Sequence, residues 1–274
     1  MASTLVKEYF REDKLPHIWC PGCGNGIVTR AIVKAIDSLG LDKDNVCIVS
    51  GIGCSSRAPG YLDFNTLHTT HGRALAFATG VKMAKPELEV IVITGDGDSS
   101  AIGGNHLIHA CRRNIDITTI VFNNNIYGMT GGQYSPTTPT GDKGTTAPYG
   151  NLDANFDLCE LTKGAGASYI ARGTAYAAKQ LEKFIAEGIK NKGFSFIEAI
   201  TACPTYYGRK NKKGSAVDML QTVKESAVMD KAWDRLSEEQ RQGKFKIGSF
   251  HVEAKPEYTE EYKKLIASFN KGEE

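Results

Sequence analysis

Three things are missing from this 274-residue sequence, and each absence removes a class of function. There is no excess of one charge: 33 Lys and Arg stand against 31 Asp and Glu, a formal net of +2. A dedicated nucleic-acid binder needs a basic stripe to neutralise phosphates, and none of that size is visible. There is no apolar run approaching the roughly 18–20 residues of a membrane span. The N-terminal segment MASTLVKEYFREDK lacks the apolar stretch of a secretory signal, which gives a soluble, cytoplasmic protein as the expectation. No internal repeat is found either. What is abundant is cysteine. Seven thiols in a reducing compartment are expected to serve metal or redox chemistry rather than disulfides.

The hydrophobic pattern alternates between two periods. Residues 24–40 place Ile27, Ala31, Ile32, Ala35, Ile36 and Leu39 at helical spacing, closed by Gly40. Val46–Ser50 reads as a buried strand, 72–84 as a helix and Leu88–Thr94 as a second strand. Residues 99–113 read as a helix, Ile115–Phe122 as a third strand, and 123–153 as a long Gly-, Thr-, Pro- and Asn-rich loop. Loops that long in compact domains are usually functional. A helix near 155–163, a strand at Ala167–Ala171, a helix at 174–190 and a strand at Phe194–Ile200 follow. This alternation predicts an α/β fold, a mostly parallel sheet with helices on both faces. From 204 the chain becomes polar and lysine-rich, with one helix expected near 217–240 and a charged tail that is either a solvated helix or a clasp on a partner. The expected division is residues 1–205 as one domain and 206–274 as an extension packed on that domain or on a partner subunit.

In such a sheet ligands lie beyond the carboxyl ends of the strands. Cys54, Asp96, the triplet Asn123, Asn124 and Asn125, and Cys203 each fall just past an expected strand. Gly95-Asp96-Gly97-Asp98 follows a strand and opens a helix. Its glycines permit close backbone approach, and free helix N–H groups favour an anion. An acid in an anion site makes sense only with a cation between them. A Mg²⁺ bridging Asp96 to a diphosphate fits, with Asn124 and the Ile126 carbonyl completing the protein oxygens. Three other readings compete. Gly95, Gly97 and Ala101 imitate a dinucleotide fingerprint, but the next strand ends in asparagine rather than the acid that motif wants. An EF-hand fails at Ser100 and Ala101. A plain tight turn explains the glycines but not the pairing of Asp96 with Asn124. Likewise Cys20-Pro21-Gly22-Cys23 looks like a thioredoxin dithiol but has no strand before it. A zinc site and an iron–sulfur site remain open on spacing alone.

The motif Gly95-Asp96-Gly97, then 25 residues (98–122), then Asn123-Asn124 resembles that of thiamine diphosphate enzymes. Tyr127-Gly128-Met129-Thr130-Gly131-Gly132-Gln133 resembles the segment that follows it in 2-oxoacid:ferredoxin oxidoreductases. The CPGCG segment, Gly51-Ile52-Gly53-Cys54-Ser55 and Ala202-Cys203-Pro204 resemble the cluster loops of that family's β subunit. The resemblance implies a thiamine diphosphate-binding fold. It also implies one [4Fe–4S] cluster on Cys20, Cys23, Cys54 and Cys203, and Mg²⁺ on Asp96, Asn124 and Ile126. The cofactor site it implies comprises Ile52, Gly53, Cys54, Ser55, His71, Gly95, Asp96, Gly97, Asp98, Asn124, Ile126, Gly128 and Met129. Cys47, Cys111 and Cys159 are expected to be packing residues. The implied reaction is oxidative decarboxylation of a 2-oxoacid with coenzyme A, with electrons passing to ferredoxin. The segment 128–138 looks most like the 2-oxoglutarate branch; pyruvate and branched-chain 2-oxoacids are alternatives. Only one GDG…NN unit is present, so the acid facing the aminopyrimidine is expected from an α subunit or a fused γα subunit. The rival of another class is a zinc- or dithiol-containing electron-carrier module.

Overall fold

The computed structural model of the chain describes residues 4–270. Ten strands are described: β1 (Val46–Ser50), β2 (Asn65–His68), β3 (Glu89–Gly95), β4 (Thr118–Asn123), β5 (Ile126–Tyr127), β6 (Gln133–Tyr134), β7 (Tyr169–Thr174), β8 (Ser195–Ile200), β9 (Ala227–Met229) and β10 (Phe245–Val252). Eight form one sheet in the order β2-β1-β3-β4-β8-β7-β10-β9, and β5 with β6 makes a small antiparallel hairpin. From β2 to β7 every neighbour is parallel. The expected mostly parallel α/β sheet is what the chain forms.

Period-2 alternation sorts the strand side chains between two cores. Ile48, Ile91, Ile93, Ile120, Phe122 and Ile197 pack under the helices Asn25–Ser38 and Ala178–Lys190. Cys47, Val49, Val90, Val92, Val121 and Phe196 pack against the helices Ala74–Ala84, Gly104–Arg113 and Leu158–Gly164. A sheet covered on both faces explains why β1, β3 and β4 read as continuous apolar runs. Cys111 and Cys159 belong to the second core beside Cys47, all three buried.

Several boundaries move. The third strand begins at Thr118, because Ile115 and Ile117 are buried in the approach to the sheet and their backbone closes a tight turn, Ile117 N–H to Ile115 C=O at 2.7 Å. The helix expected across 217–240 stops at Ser226 and gives way to β9, followed by short helices at Asp230–Trp233 and Glu238–Arg241. The N-terminal segment, for which no element was expected, contains a helix at Thr4–Tyr9. The tail forms a helix over Tyr258–Asn270; residues 271–274 lie outside the described residues. Five strands, β2, β5, β6, β9 and β10, have no counterpart in the sequence reading. Within 206–274, β10 joins the main sheet antiparallel to β7, with a bulge between Ser249 and His251.

The topology creates the crevices. From β1 the chain moves outward to β2 and returns on the other side as β3; from β4 it crosses to β7 and comes back as β8. Each reversal opens a gap at the carboxyl ends. The loops after β1, β3 and β4 meet over one cleft at these ends, and those after β1, β4 and β8 over a second cavity.

Candidate active site and cysteine cavity

Asp96 follows β3 directly and is 2% exposed. Its Oδ2 accepts from the hydroxyls of Ser135 at 2.5 Å and Thr137 at 2.7 Å. Both donors lie on the long loop after β4. Burial pushes the Asp96 carboxyl up to about 6, against the lowering effect of the two hydroxyls. Thr137 Oγ also lies 3.1 Å from Asn123 Oδ1, and Asn123 Nδ2 donates to Glu198 Oε1 at 2.7 Å. Glu198 Oε2 accepts from Arg172 Nε at 2.5 Å. A buried polar chain therefore runs from Asp96 under the ends of β4, β8 and β7. Next along β4, Asn124 turns its Oδ1 to the Ile126 N–H at 3.2 Å, which fixes the bend into β5.

Asp98 opens a π-helical turn, Asp98–Ile102, of the kind that recurs at functional sites. Its carboxylate is already engaged: Thr94 Oγ donates to Oδ2 at 2.7 Å and the Gly72 N–H to Oδ1 at 2.7 Å. The Ile52 N–H approaches Oδ2 at 3.3 Å, and His71 Nδ1 stands 2.5 Å from Oδ1. Asp98 thereby ties the loops after β1, β2 and β3 together. Gly97 has to be glycine for a steric reason: a Cβ there would sit 2.3 Å from the Tyr127 ring.

These residues line one cleft. It brings together every expected cofactor residue: Ile52, Gly53, Cys54, Ser55, His71, Gly95, Asp96, Gly97, Asp98, Asn124, Ile126, Gly128 and Met129. Phe122, Tyr127 and Thr130 also line it and were not anticipated. Ser135 and Thr137 were quoted for likeness but given no role; an ordered hydroxyl in a Ser/Thr/Pro loop following the Asp was the available signal. Ser55 Oγ is buried in the cleft without a partner, an orphan polar atom that a bound anion would satisfy. The cleft encloses only about 40 Å³.

A second, larger cavity of about 240 Å³ lies alongside, lined by Cys20, Cys23, Cys54 and Cys203 with Trp19, Asn25, Gly128 and Tyr206 among others. Two hydrogen bonds, one from a side chain and one between backbone groups, join its three loops. Trp19 Nε1 donates to the Cys54 carbonyl at 2.6 Å, and the Ala202 N–H to the Cys23 carbonyl at 3.1 Å. Gly128 fills the gap between two thiols: a Cβ there would lie 3.4 Å from both Cys54 Sγ and Cys203 Sγ. Burial raises the Cys54 thiol to about 11, with the neighbouring Cys203, Cys23 and Cys20 adding to the shift. Cys23 is raised too, again mainly by burial. Among the described residues, no three His, Cys, Asp or Glu side chains are grouped so as to hold a metal ion. The four thiols surround a space instead.

Residues 51–199 match the family model described as the thiamine pyrophosphate enzyme, C-terminal TPP binding domain. The chain belongs to the thiamine diphosphate enzymes. It is 56% identical over 260 residues to the 2-oxoglutarate synthase subunit KorB of Methanocaldococcus jannaschii, covering 94% of this chain and 96% of that one. It is 51% identical over 266 residues to the same subunit from Archaeoglobus fulgidus, covering 97% and 96%. A solved 2-oxoglutarate:ferredoxin oxidoreductase from Magnetococcus marinus, with 2-oxoglutarate, coenzyme A and succinyl-CoA bound, matches with a TM-score of 0.86. That match has 30% identity and covers 98% of this chain and 92% of that one. Within the thiamine diphosphate enzymes, this chain is a β subunit of the 2-oxoacid:ferredoxin oxidoreductases.

Proposed function

We propose that this subunit carries thiamine diphosphate, Mg²⁺ and one [4Fe–4S] cluster in a 2-oxoglutarate:ferredoxin oxidoreductase. The balanced reaction is 2-oxoglutarate plus coenzyme A giving succinyl-CoA, CO₂, one proton and two electrons, the electrons leaving singly to ferredoxin. The observation that carries this reading is the sharing of Cys54, Asn124, Gly128 and Met129 between the cleft and the cysteine cavity. A centre that releases electrons and one that accepts them one at a time have to be close, and these two sites have a wall in common.

The residues present fit both groups. Asp96, Asn124 and the Ile126 carbonyl offer oxygens to Mg²⁺, and the Ser135 and Thr137 hydroxyls occupy Asp96 Oδ2, which leaves Oδ1 for the cation. Ser55, with its unpartnered hydroxyl, and the backbone of Gly95 and Gly97 would cradle the diphosphate. Thiamine diphosphate, when bound, supplies the nucleophilic carbon and electron sink for cleaving the carboxylate from a 2-oxoacid. This chain's residues orient it, keep its diphosphate charge compensated and exclude water. Cys20, Cys23, Cys54 and Cys203 would hold the cluster. A zinc staple on the same four thiols is the rival reading, and the metal content of the purified complex, iron or zinc, separates the two.

We assign residues 1–205 to the cofactor domain and 206–274 to an extension. The cleft is far below the ~300–1,000 Å³ of sites that bury a ligand of this size. One wall is therefore here, and an α subunit, separate or fused to γ, supplies the other with the acid for the aminopyrimidine. No helix among the described residues is long and apolar enough to cross a membrane; a cytoplasmic setting suits the chemistry.

The deciding experiment is coenzyme A-dependent viologen reduction by the assembled complex on a panel of 2-oxoacids. 2-Oxoglutarate is expected to be turned over fastest. Equal rates on pyruvate and branched-chain 2-oxoacids would overturn the substrate assignment.

A further inference from the structure

The lysine-rich stretch after residue 204 has no part in either site, yet it begins at the cysteine cavity. Pro204, Thr205 and Tyr206 line that cavity beside Cys203. The next turn exposes Arg209, Lys210, Lys212 and Lys213. Lys143, from the long loop after β4, is held beside them. Its N–H donates to Asn211 Oδ1 at 2.7 Å, and Asn211 Nδ2 donates to its carbonyl at 3.0 Å. The turn is fixed rather than loose: the Lys213 N–H closes onto the Gly208 carbonyl at 2.9 Å, and Lys212 sits at φ 52. Asp142, the carboxylate within the patch, is already taken by the Tyr207 hydroxyl and by Lys213 at 3.4 Å. Arg209, Lys210, Lys212 and Lys143 are thus exposed on two joined segments, with Lys213 paired to Asp142, in a chain whose overall balance is only +2.

We propose that this turn is the docking surface for the acidic one-electron carrier protein that empties the cysteine-held centre. The inference rests on the cluster assignment above. Electron transfer needs the carrier close to the cavity; the cavity wall is exposed at Ile18 and Cys20 and again at Tyr206, and it is the Tyr206 side that continues into the basic turn. Fixed positive charge there steers an acidic partner and raises its encounter rate, the term that rim charges control. The carrier takes one electron per encounter, so two encounters follow each 2-oxoacid oxidised.

The test is Arg209→Glu/Lys210→Glu in the assembled complex, assayed with a purified acidic ferredoxin and, separately, with methyl viologen. The expected result is a KM for ferredoxin raised about tenfold or more, with a flattened salt dependence. The viologen rate and the KM for coenzyme A stay at wild-type values, which also shows that the variant is folded. An unchanged KM for ferredoxin overturns the docking assignment alone. A raised KM for coenzyme A with ferredoxin unaffected also overturns it, and marks the turn as an anion site for the coenzyme. A wild-type complex that reduces neither acceptor overturns the cluster reading and this inference with it.

Discussion

The cleft around Asp96 and the cavity around the four cysteines sit side by side at one edge of the sheet, but they are finished to different degrees. In the cleft the charged groups already have partners. Asp96 has two hydroxyls, Asp98 has a hydroxyl and backbone N–H groups, and Glu198 beneath them is paired with Arg172 and Asn123. In the cavity the space is larger, about 240 Å³ against about 40 Å³, and burial holds Cys23 and Cys54 away from the thiolate form. Polar groups for a cofactor that comes and goes are organised in advance by the protein, which lowers the cost of binding. Thiols for a permanent cluster can be left to the cluster itself, because metal ligation deprotonates them outright. The contrast predicts that damage to one site should leave the other measurable.

The largest effect is expected from Cys20→Ser, at a residue that lines the cysteine cavity but not the cleft. It removes one of four thiols whose loops are tied together, so the proposed cluster should be lost, and with it the ~4 iron per chain and brown colour that the proposal expects of the wild-type complex. Thiamine diphosphate binding, followed by fluorescence quenching, should survive within a few-fold. Full iron content in this variant, or in Cys203→Ser, would mean that the ligand set is wrong.

Next comes the ion pair beneath the cleft. Arg172 is buried, with Nε on Glu198 and an NH2 contact to Asp157 at 2.6 Å. Arg172→Leu leaves Glu198 buried and uncompensated, a change that typically costs about 3–5 kcal/mol. Chemical denaturation should show that loss. Replacing the pair together, Arg172→Leu with Glu198→Leu, should recover part of it, and an additive double mutant would show that the pair does not act as a unit.

Thr137→Val deletes one hydroxyl and keeps the shape. Mg²⁺ affinity at fixed thiamine diphosphate should fall about 10–100-fold, as when groups that orient metal ligands are lost. Thr137→Ser should restore it, and iron content should not change. An unaltered cation affinity would reduce the hydroxyl contact to loop packing.

These contacts also mark the limit of what the sequence discloses. Gly95-Asp96-Gly97 and Asn123-Asn124 are readable because a single helix and strand separate them, which returns the two segments to adjacent strand ends. Cys54 and Cys203 are readable for the same reason, each just past a strand with a strong apolar run, whereas Cys20 and Cys23 follow no strand and are readable only from their spacing. Ser135 and Thr137 reach Asp96 from the loop after β4, 39 and 41 positions further along the chain, a distance no local pattern encodes. β2, with the sequence Asn-Thr-Leu-His, is a half-exposed edge strand without alternation. β10 hides its register behind Gly248 at φ 145 and a bulge, inside lysine-rich surroundings. Its pairing with β7 is decided by the sheet edge that is available, not by its own residues.

The smallest effect expected is in the pH dependence of cation binding, and its sign follows from the same burial. Asp96 titrates near 6 rather than at 3.8 because its carboxylate is desolvated. Protons and Mg²⁺ compete for it, so cation affinity should be flat above about pH 7 and fall about tenfold per pH unit below 6. Folding stability without the cation should move the other way. A carboxyl whose folded pKa is raised contributes stability that is fully present below the unfolded value of 3.8 and lost as pH rises through 6. The cation-free subunit should therefore gain from mild acid at this position while the loaded one weakens. Calorimetric melts at pH 5 and pH 7, with and without Mg²⁺ and thiamine diphosphate, give the two slopes separately. Asp96→Asn should abolish both slopes while leaving the iron in place; if the slopes persist, another buried carboxyl sets them and the cleft is not organised around Asp96.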